Sequence, residues 1–154
     1  MHRIERALVL PASLGQAWQF FSQPQNLSLI TPPSLRLRIC GESAATTFAG
    51  QIIEYTVQAL PCWHTRWVTE ITHCLEPHLF VDEQRFGPYR FWHHLHRFEA
   101  IPGGTLVVDK VHYLLPRYPA ASLVHRFYIR PRLEEIFSFR EESLRRLFPG
   151  AATP

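Results

Sequence analysis

The sequence predicts an α+β fold in which a meander of antiparallel strands is closed by one long C-terminal helix. Three observations predict it. From about residue 34 to Pro116 apolar side chains recur with the period of two that marks strands. After Pro131 the period becomes helical, with Leu133, Ile136, Phe137, Leu144, Leu147 and Phe148 on one stripe and Arg140 between its halves. Strands are grouped apart from helices, which excludes the alternating β-α order of a parallel sheet.

The elements follow in order. Residues 3–10 (RIERALVL) suit a first strand, and Ser13-Leu14-Gly15-Gln16 is a capping box opening a helix with Ala17, Trp18, Phe20 and Phe21 on its apolar face. Pro24 suits the first turn of a second short helix through Asn26–Ile30, ended by Thr31-Pro32-Pro33. Leu35, Leu37 and Ile39 alternate with polar residues as a strand. Further strands are expected over Gly50–Leu60, Trp63–Cys74 with Trp67, Thr69 and Ile71 on one face, and Leu79–Arg85 before Gly87-Pro88. Phe91–Ile101 and Thr105–Leu115 flank Pro102-Gly103-Gly104, a hairpin turn. Pro131 begins the last helix or kinks a longer one from Ser122. Residues 1–149 are expected to form one domain and 150–154 a short tail.

The 154 residues are enough to bury a core, 46% of them being hydrophobic, and no apolar run approaches the roughly 20 residues a membrane span needs. Charge in the first six residues argues against export, and Cys40, Cys62 and Cys74 are an odd number without C-x-x-C spacing, so a reduced, cytoplasmic protein is expected. The net charge is +3, with arginines gathered at Arg126, Arg130, Arg132, Arg140, Arg145 and Arg146. No groove-reading motif accompanies them, so the cluster reads as a solvated helix face and no nucleic acid is expected.

The most informative stretch is RFWHHLHRFE, residues 90–99. Alternation sends Trp92, His94, His96 and Phe98 to one face and His93 to the other. Across the hairpin, Val107, Asp109, Val111 and Tyr113 form the more apolar face, so both sets point inward. A turn at Pro102-Gly103 pairs Ile101 with Gly104, which sets His96 opposite Asp109, His94 opposite Val111 and Trp92 opposite Tyr113. A buried aspartate needs a partner. His96 can supply one and present its other ring nitrogen to the interior, as an acid–base pair or as a post that orients a ligand. His94-x-His96 has the spacing of some zinc sites, with Asp109 as a third ligand, but no cysteine or glutamate completes the set and neither metal nor cofactor is assigned. Asp82 and Gln84 would add polar groups to the same wall if they face inward, a point the Gly87-Pro88 break leaves open. G-x-S-x-G, P-loop and G-x-G-x-x-G motifs are absent.

Further motifs run through the chain: Asn26-Leu27 with Thr31-Pro32-Pro33, Gly50 and Tyr55, and Trp67-x-Thr69-x-Ile71. They continue with Phe80-x-Asp82-x-Gln84-x-x-Gly87-Pro88, Trp92-x-His94-x-His96-x-Phe98, Gly104-Thr105, Asp109-x-Val111-x-Tyr113-x-x-Pro116 and Ile136-Phe137-x-x-Arg140. In these the chain resembles the START-like SRPBCC superfamily of helix-grip proteins, which includes the major birch pollen allergen, lipid-transfer domains and polyketide cyclases. More narrowly it is similar to the small bacterial ligand-binding SRPBCC domains. The resemblance implies a curved sheet of about six to seven strands gripping the C-terminal helix around a cavity for an apolar or amphipathic small molecule. It implies no reaction. The chain departs from the family at Arg117–Ala121, where glycines are more frequent.

The expected function is therefore a small-molecule binding or carrier protein. Its ligand residues would be Tyr55, Trp67, Thr69, Asp82, Gln84, Trp92, His94, His96, Phe98, Asp109, Tyr113, Phe137 and Arg140. The alternative is a cyclase, dehydratase or isomerase of a polyketide-like or steroid-like substrate, with His96 and Asp109 as acid and base. A protein partner or homo-oligomer, docking through the arginine-bearing helix, is a third possibility.

Overall fold

The computed structural model describes residues 1–41, 43–60, 63–117, 121–151 and 154. Seven strands form one antiparallel sheet: β1 (His2–Leu10), β2 (Arg38–Cys40), β3 (Ile52–Leu60), β4 (Trp63–Leu75), β5 (Leu79–Phe86), β6 (Phe91–Ile101) and β7 (Gly104–Leu114). Their order is β1-β7-β6-β5-β4-β3-β2, so every neighbouring pair but β1-β7 is consecutive in the chain. Consecutive strands need only short turns, which is how a meander with period-two patterning folds.

The β6-β7 hairpin has the expected register, with Ile101 opposite Gly104, His96 opposite Asp109, His94 opposite Val111 and Trp92 opposite Tyr113. Gly104 has a φ of 151°, and a Cβ there would lie 1.9 Å from the Leu10 carbonyl oxygen, so only glycine lets β1 approach the turn.

Helix α1 (Leu14–Phe21) starts at the Ser13 capping box, with Gln16 closing it, and buries Ala17, Trp18 and Phe21. Pro24–Ile30 is helical as expected, but as a tighter 3-10 turn. The strand expected from Leu35 is corrected: Pro33–Leu35 is another 3-10 turn, Arg36 adopts a left-handed φ of 43°, and pairing begins only at Arg38. Adjacent prolines Pro32 and Pro33 lack amide donors and favour a turn over a ladder there.

At the C-terminus α2 (Ala121–Val124) runs through one π-helical turn, His125–Ile129, into α3 (Arg130–Leu147). The Arg130 amide bonds back to the His125 carbonyl, five residues away, just ahead of Pro131. The extra residue in that turn rotates α3 without breaking it. Its buried positions Leu133, Phe137, Arg140 and Leu144 are spaced as one stripe and face the sheet. Two apolar clusters result. One joins α1 to Phe80, Phe98, Val107 and Leu144, and the other joins Ile4, Trp92, Val111 and Tyr113 to Leu133 and Phe137. Cys40 and Cys74 are free thiols; Cys62 and most of the departing segment at 117–121 lie outside the described residues. Among the described residues no helix is long and apolar enough to cross a membrane.

Candidate functional site

Because the sheet curls around α3 and meets it only along one stripe, the two layers part over β3, β4 and β5. The gap is a cavity of about 350 Å³. Its walls are largely apolar: Phe20, Leu27 and Ile30 from the helical connections, Ile53 and Val57 from β3, and Leu133, Ile136 and Phe137 from α3. One side is aromatic. Trp67 meets Trp92 edge-on with ring centres 5.1 Å apart, and Tyr89 lies 5.6 Å from Trp67 and 4.8 Å from Trp92. Tyr89 was not foreseen. It follows the Gly87-Pro88 break and is fixed by Gln84, whose amide Nε2 donates to the Tyr89 carbonyl at 2.6 Å and whose Oε1 accepts from the Tyr89 amide at 3.2 Å.

Polar groups collect at the floor. His94 and His96 stand side by side on β6, ring centres 3.8 Å apart. His94 is 6% exposed and His96 4%. Two aspartates flank them. On one side Asp109 Oδ1 lies 3.0 Å from His94 Nε2 and 2.8 Å from His96 Nδ1; on the other, Asp82 Oδ2 lies 2.9 Å from His96 Nε2 and 3.4 Å from His94 Nδ1. Arg140 reaches from α3 to place Nε 3.3 Å from Asp109 Oδ2, its guanidinium 5.6 Å from the centre of the Phe21 ring. The His96 Nδ1 and Arg140 Nε contacts are close in distance but out of hydrogen-bonding line, so charge attraction carries them. Phe80 stacks on His96 at 4.2 Å and Phe137 meets His94 edge-on at 5.9 Å, so both imidazoles are packed in place.

Two carboxylates and one guanidinium leave one negative charge over, which a single imidazolium balances. His96 fits that role. Burial opposes its cation, but the Asp109 charge and the hydrogen bond to Asp82 outweigh burial and raise its pKa. Burial and the neighbouring His96 charge lower that of His94, which stays neutral. Burial would raise both aspartates. The charges of Arg140 and His96, with the hydrogen bond from His94, hold Asp109 well below the usual range, and the imidazoles and Arg140 hold Asp82 below it too.

Nine of the thirteen residues expected at a ligand site lie on the cavity wall: Tyr55, Trp67, Thr69, Asp82, Trp92, His94, His96, Phe137 and Arg140. Four sit behind it. Phe98 is 1% exposed and packs against Trp18 and Phe21, Gln84 braces the Tyr89 turn, and Tyr113 bonds His125 Nε2 through its hydroxyl at 2.9 Å. Asp109 is covered by the histidines and Arg140. The expectation that His96 keeps a ring nitrogen free toward the cavity is corrected as well: Asp82 takes it. Of the three adjacent polar residues on β5, Asp82 faces the cavity, while Glu83 pairs with Arg85 outside it.

No family model matches the chain, and no curated protein does. Solved structures do. CV1439 from Chromobacterium violaceum matches over 96% of this chain and 98% of its own, with a TM-score of 0.73 at 11% identity. Ara h 8.0201 matches over 93% and 97%, with 0.59 at 15%. StfQ, a di-domain ARO/CYC protein of the steffimycin biosynthetic pathway, matches 95% of this chain over half of its own length, with 0.69 at 12%. At such identities the likeness is one of fold alone: the chain has a helix-grip fold, a seven-stranded antiparallel sheet closed on a long C-terminal helix.

Proposed function

We propose that this protein binds or carries an apolar or amphipathic small molecule, its body among the aromatic and aliphatic walls and its polar end at Asp82, His94 and His96. One observation carries the reading: a largely apolar cavity of about 350 Å³ with Asp82, His94, His96 and Arg140 gathered on one part of its wall. That combination of apolar walls with a few placed polar groups is the usual form of a small-molecule site. The narrower likeness to bacterial ligand-binding SRPBCC domains agrees with it. The free thiols of Cys40 and Cys74 support a cytoplasmic location.

Native mass spectrometry of freshly purified protein, with titration of the fluorescent probe anilinonaphthalene sulfonate, tests this. A co-purifying small molecule, or probe binding that Leu27→Trp weakens about tenfold by filling the cavity, is expected; a tenfold loss is about 1.4 kcal/mol. An empty protein whose probe binding ignores Leu27→Trp would overturn it.

The floor favours a second reading, a cyclase, dehydratase or isomerase. Asp82 and His96 touch the cavity and share a proton, as acid–base chemistry needs, whereas Asp109 would position His96 from behind. His96→Gln separates the readings: if ligand still binds but no longer turns over, the protein is an enzyme.

A further inference from the structure

The floor of the cavity has a second capacity, independent of what the apolar walls hold. We propose that Asp82, His94 and His96 form a binding site for a first-row divalent transition-metal ion. Each offers one ligand atom, and the three atoms lie within 4.8 Å of one another. His96 Nε2 is 2.9 Å and His94 Nδ1 3.4 Å from Asp82 Oδ2. Ligands about 2.1 Å from a common ion stand roughly 3–3.5 Å apart, so neither edge needs to open or close by much.

The surroundings make the case stronger than the triad alone. A metal-binding imidazole donates its remaining N–H to a carboxylate or carbonyl, which fixes the tautomer and turns the other nitrogen to the ion. Here one carboxylate backs both rings: Asp109 Oδ1 is hydrogen-bonded to His94 Nε2 at 3.0 Å and lies 2.8 Å from His96 Nδ1, close but out of hydrogen-bonding line. The remaining nitrogens, His94 Nδ1 and His96 Nε2, both face Asp82, and an ion bound there takes the place of the Nε2 proton that His96 shares with Asp82, which is released. Arg140 holds the other oxygen of Asp109 from α3.

Two imidazoles and one carboxylate are the donor set of zinc and of non-haem iron, with too few hard oxygens for calcium or magnesium. Asp82 is the more accessible ligand, its side chain 17% exposed, and all three residues line the cavity. The remaining coordination positions therefore open to whatever occupies it, and an oxygen donor at the polar end of a bound molecule could fill one.

Titration of chelator-treated full-length protein with Co²⁺, followed by its visible absorption, tests the site. One equivalent is expected to bind, with Zn²⁺ displacing it. Asp82→Asn and His94→Gln should abolish binding, and Asp109→Asn, which touches no ion, should weaken it about 10–100-fold. The outer-face double variant His93→Gln/His112→Gln should bind as wild type. Absence of any Co²⁺ band in wild type at tenfold excess would overturn the proposal, whatever the variants do. So would binding that survives Asp82→Asn and His94→Gln but disappears with the outer histidines.

Discussion

One strand carries histidines on both of its faces, and the two faces treat them differently. On the inner face of β6, His94 and His96 meet two aspartates and an arginine in a closed network. On the outer face, His93 meets His112 across the hairpin at 6.2 Å and Phe91 at 6.4 Å, its Nδ1 without a partner. The surroundings of His96 and His112 act in opposite senses. Carboxylates outweigh burial and hold a proton on His96, whereas burial, with Lys110, His93 and Arg3 nearby, lowers the affinity of His112 for one. Residue type is identical, and position in the pleat decides whether an imidazole becomes part of a charge network or a half-covered ring.

The largest break in this contrast should come from Asp109→Ala. It leaves both inner imidazoles and Arg140 without the group that binds them together, and removal of one member of a buried charge network costs about 3–5 kcal/mol. Urea unfolding reads it directly. A loss below about 1 kcal/mol would mean that water reaches the floor and screens it.

Next is the pH dependence of the chelator-treated protein. The folded-state pKa of His96 is raised, so its contribution is fully present below about pH 6.5, the unfolded histidine value, and is lost as pH rises through the folded one. Asp82 and Asp109 are depressed, so theirs is present above about pH 3.9 and lost as pH falls through their folded values. His94, also depressed, weakens the fold on acidification below about pH 6.5. Stability should therefore decline on both sides, and His96→Gln should flatten the alkaline limb while His93→Gln leaves it. An alkaline limb unchanged in His96→Gln would assign it elsewhere.

Gln84→Ala should have a smaller effect, about 1–2 kcal/mol, by removing the two bonds that hold the Tyr89 turn. It should also alter probe binding, since Tyr89 forms part of the aromatic wall. Unchanged unfolding and unchanged binding would show that the wall holds Tyr89 by packing alone.

Much of the contrast was legible in the residues. A short turn at Pro102-Gly103 leaves one register, and period-two alternation then assigns His94, His96 and Asp109 to one side. What stayed hidden depends on irregular backbone. Asp82 lies between two register shifts of the β4-β5 pairing, one that leaves Arg85 of β5 unpaired between Phe86 and Gln84 and one that leaves Thr72 of β4 unpaired between Ile71 and His73. No local pattern announces such a bulge, so the second carboxylate, and with it the closed network, could not be placed. Arg140 was visible on the apolar stripe of the last helix, yet its partner was not, because helix-to-sheet contact is set by curvature rather than by period. The 3-10 turn at Pro33–Leu35 has a different cause: prolines override an alternation that reads as strand.

The smallest expected effect sharpens the comparison most. His93→Gln/His112→Gln removes as many imidazoles as the inner face holds, but breaks no carboxylate contact. Both are partly exposed, and their rings stand 6.2 Å apart, so only weak ring contacts are lost. The change in stability should stay within about 0.5 kcal/mol, the range of ordinary surface substitutions. It should not vary with pH across the inner network's alkaline limb. The unpartnered Nδ1 of His93 makes the sign informative: a small gain would mean that this nitrogen is short of a bond in the folded state. A loss of several kcal/mol would instead make the outer pair a structural feature and end the argument that opposed charge environments, rather than the strand itself, separate the two faces.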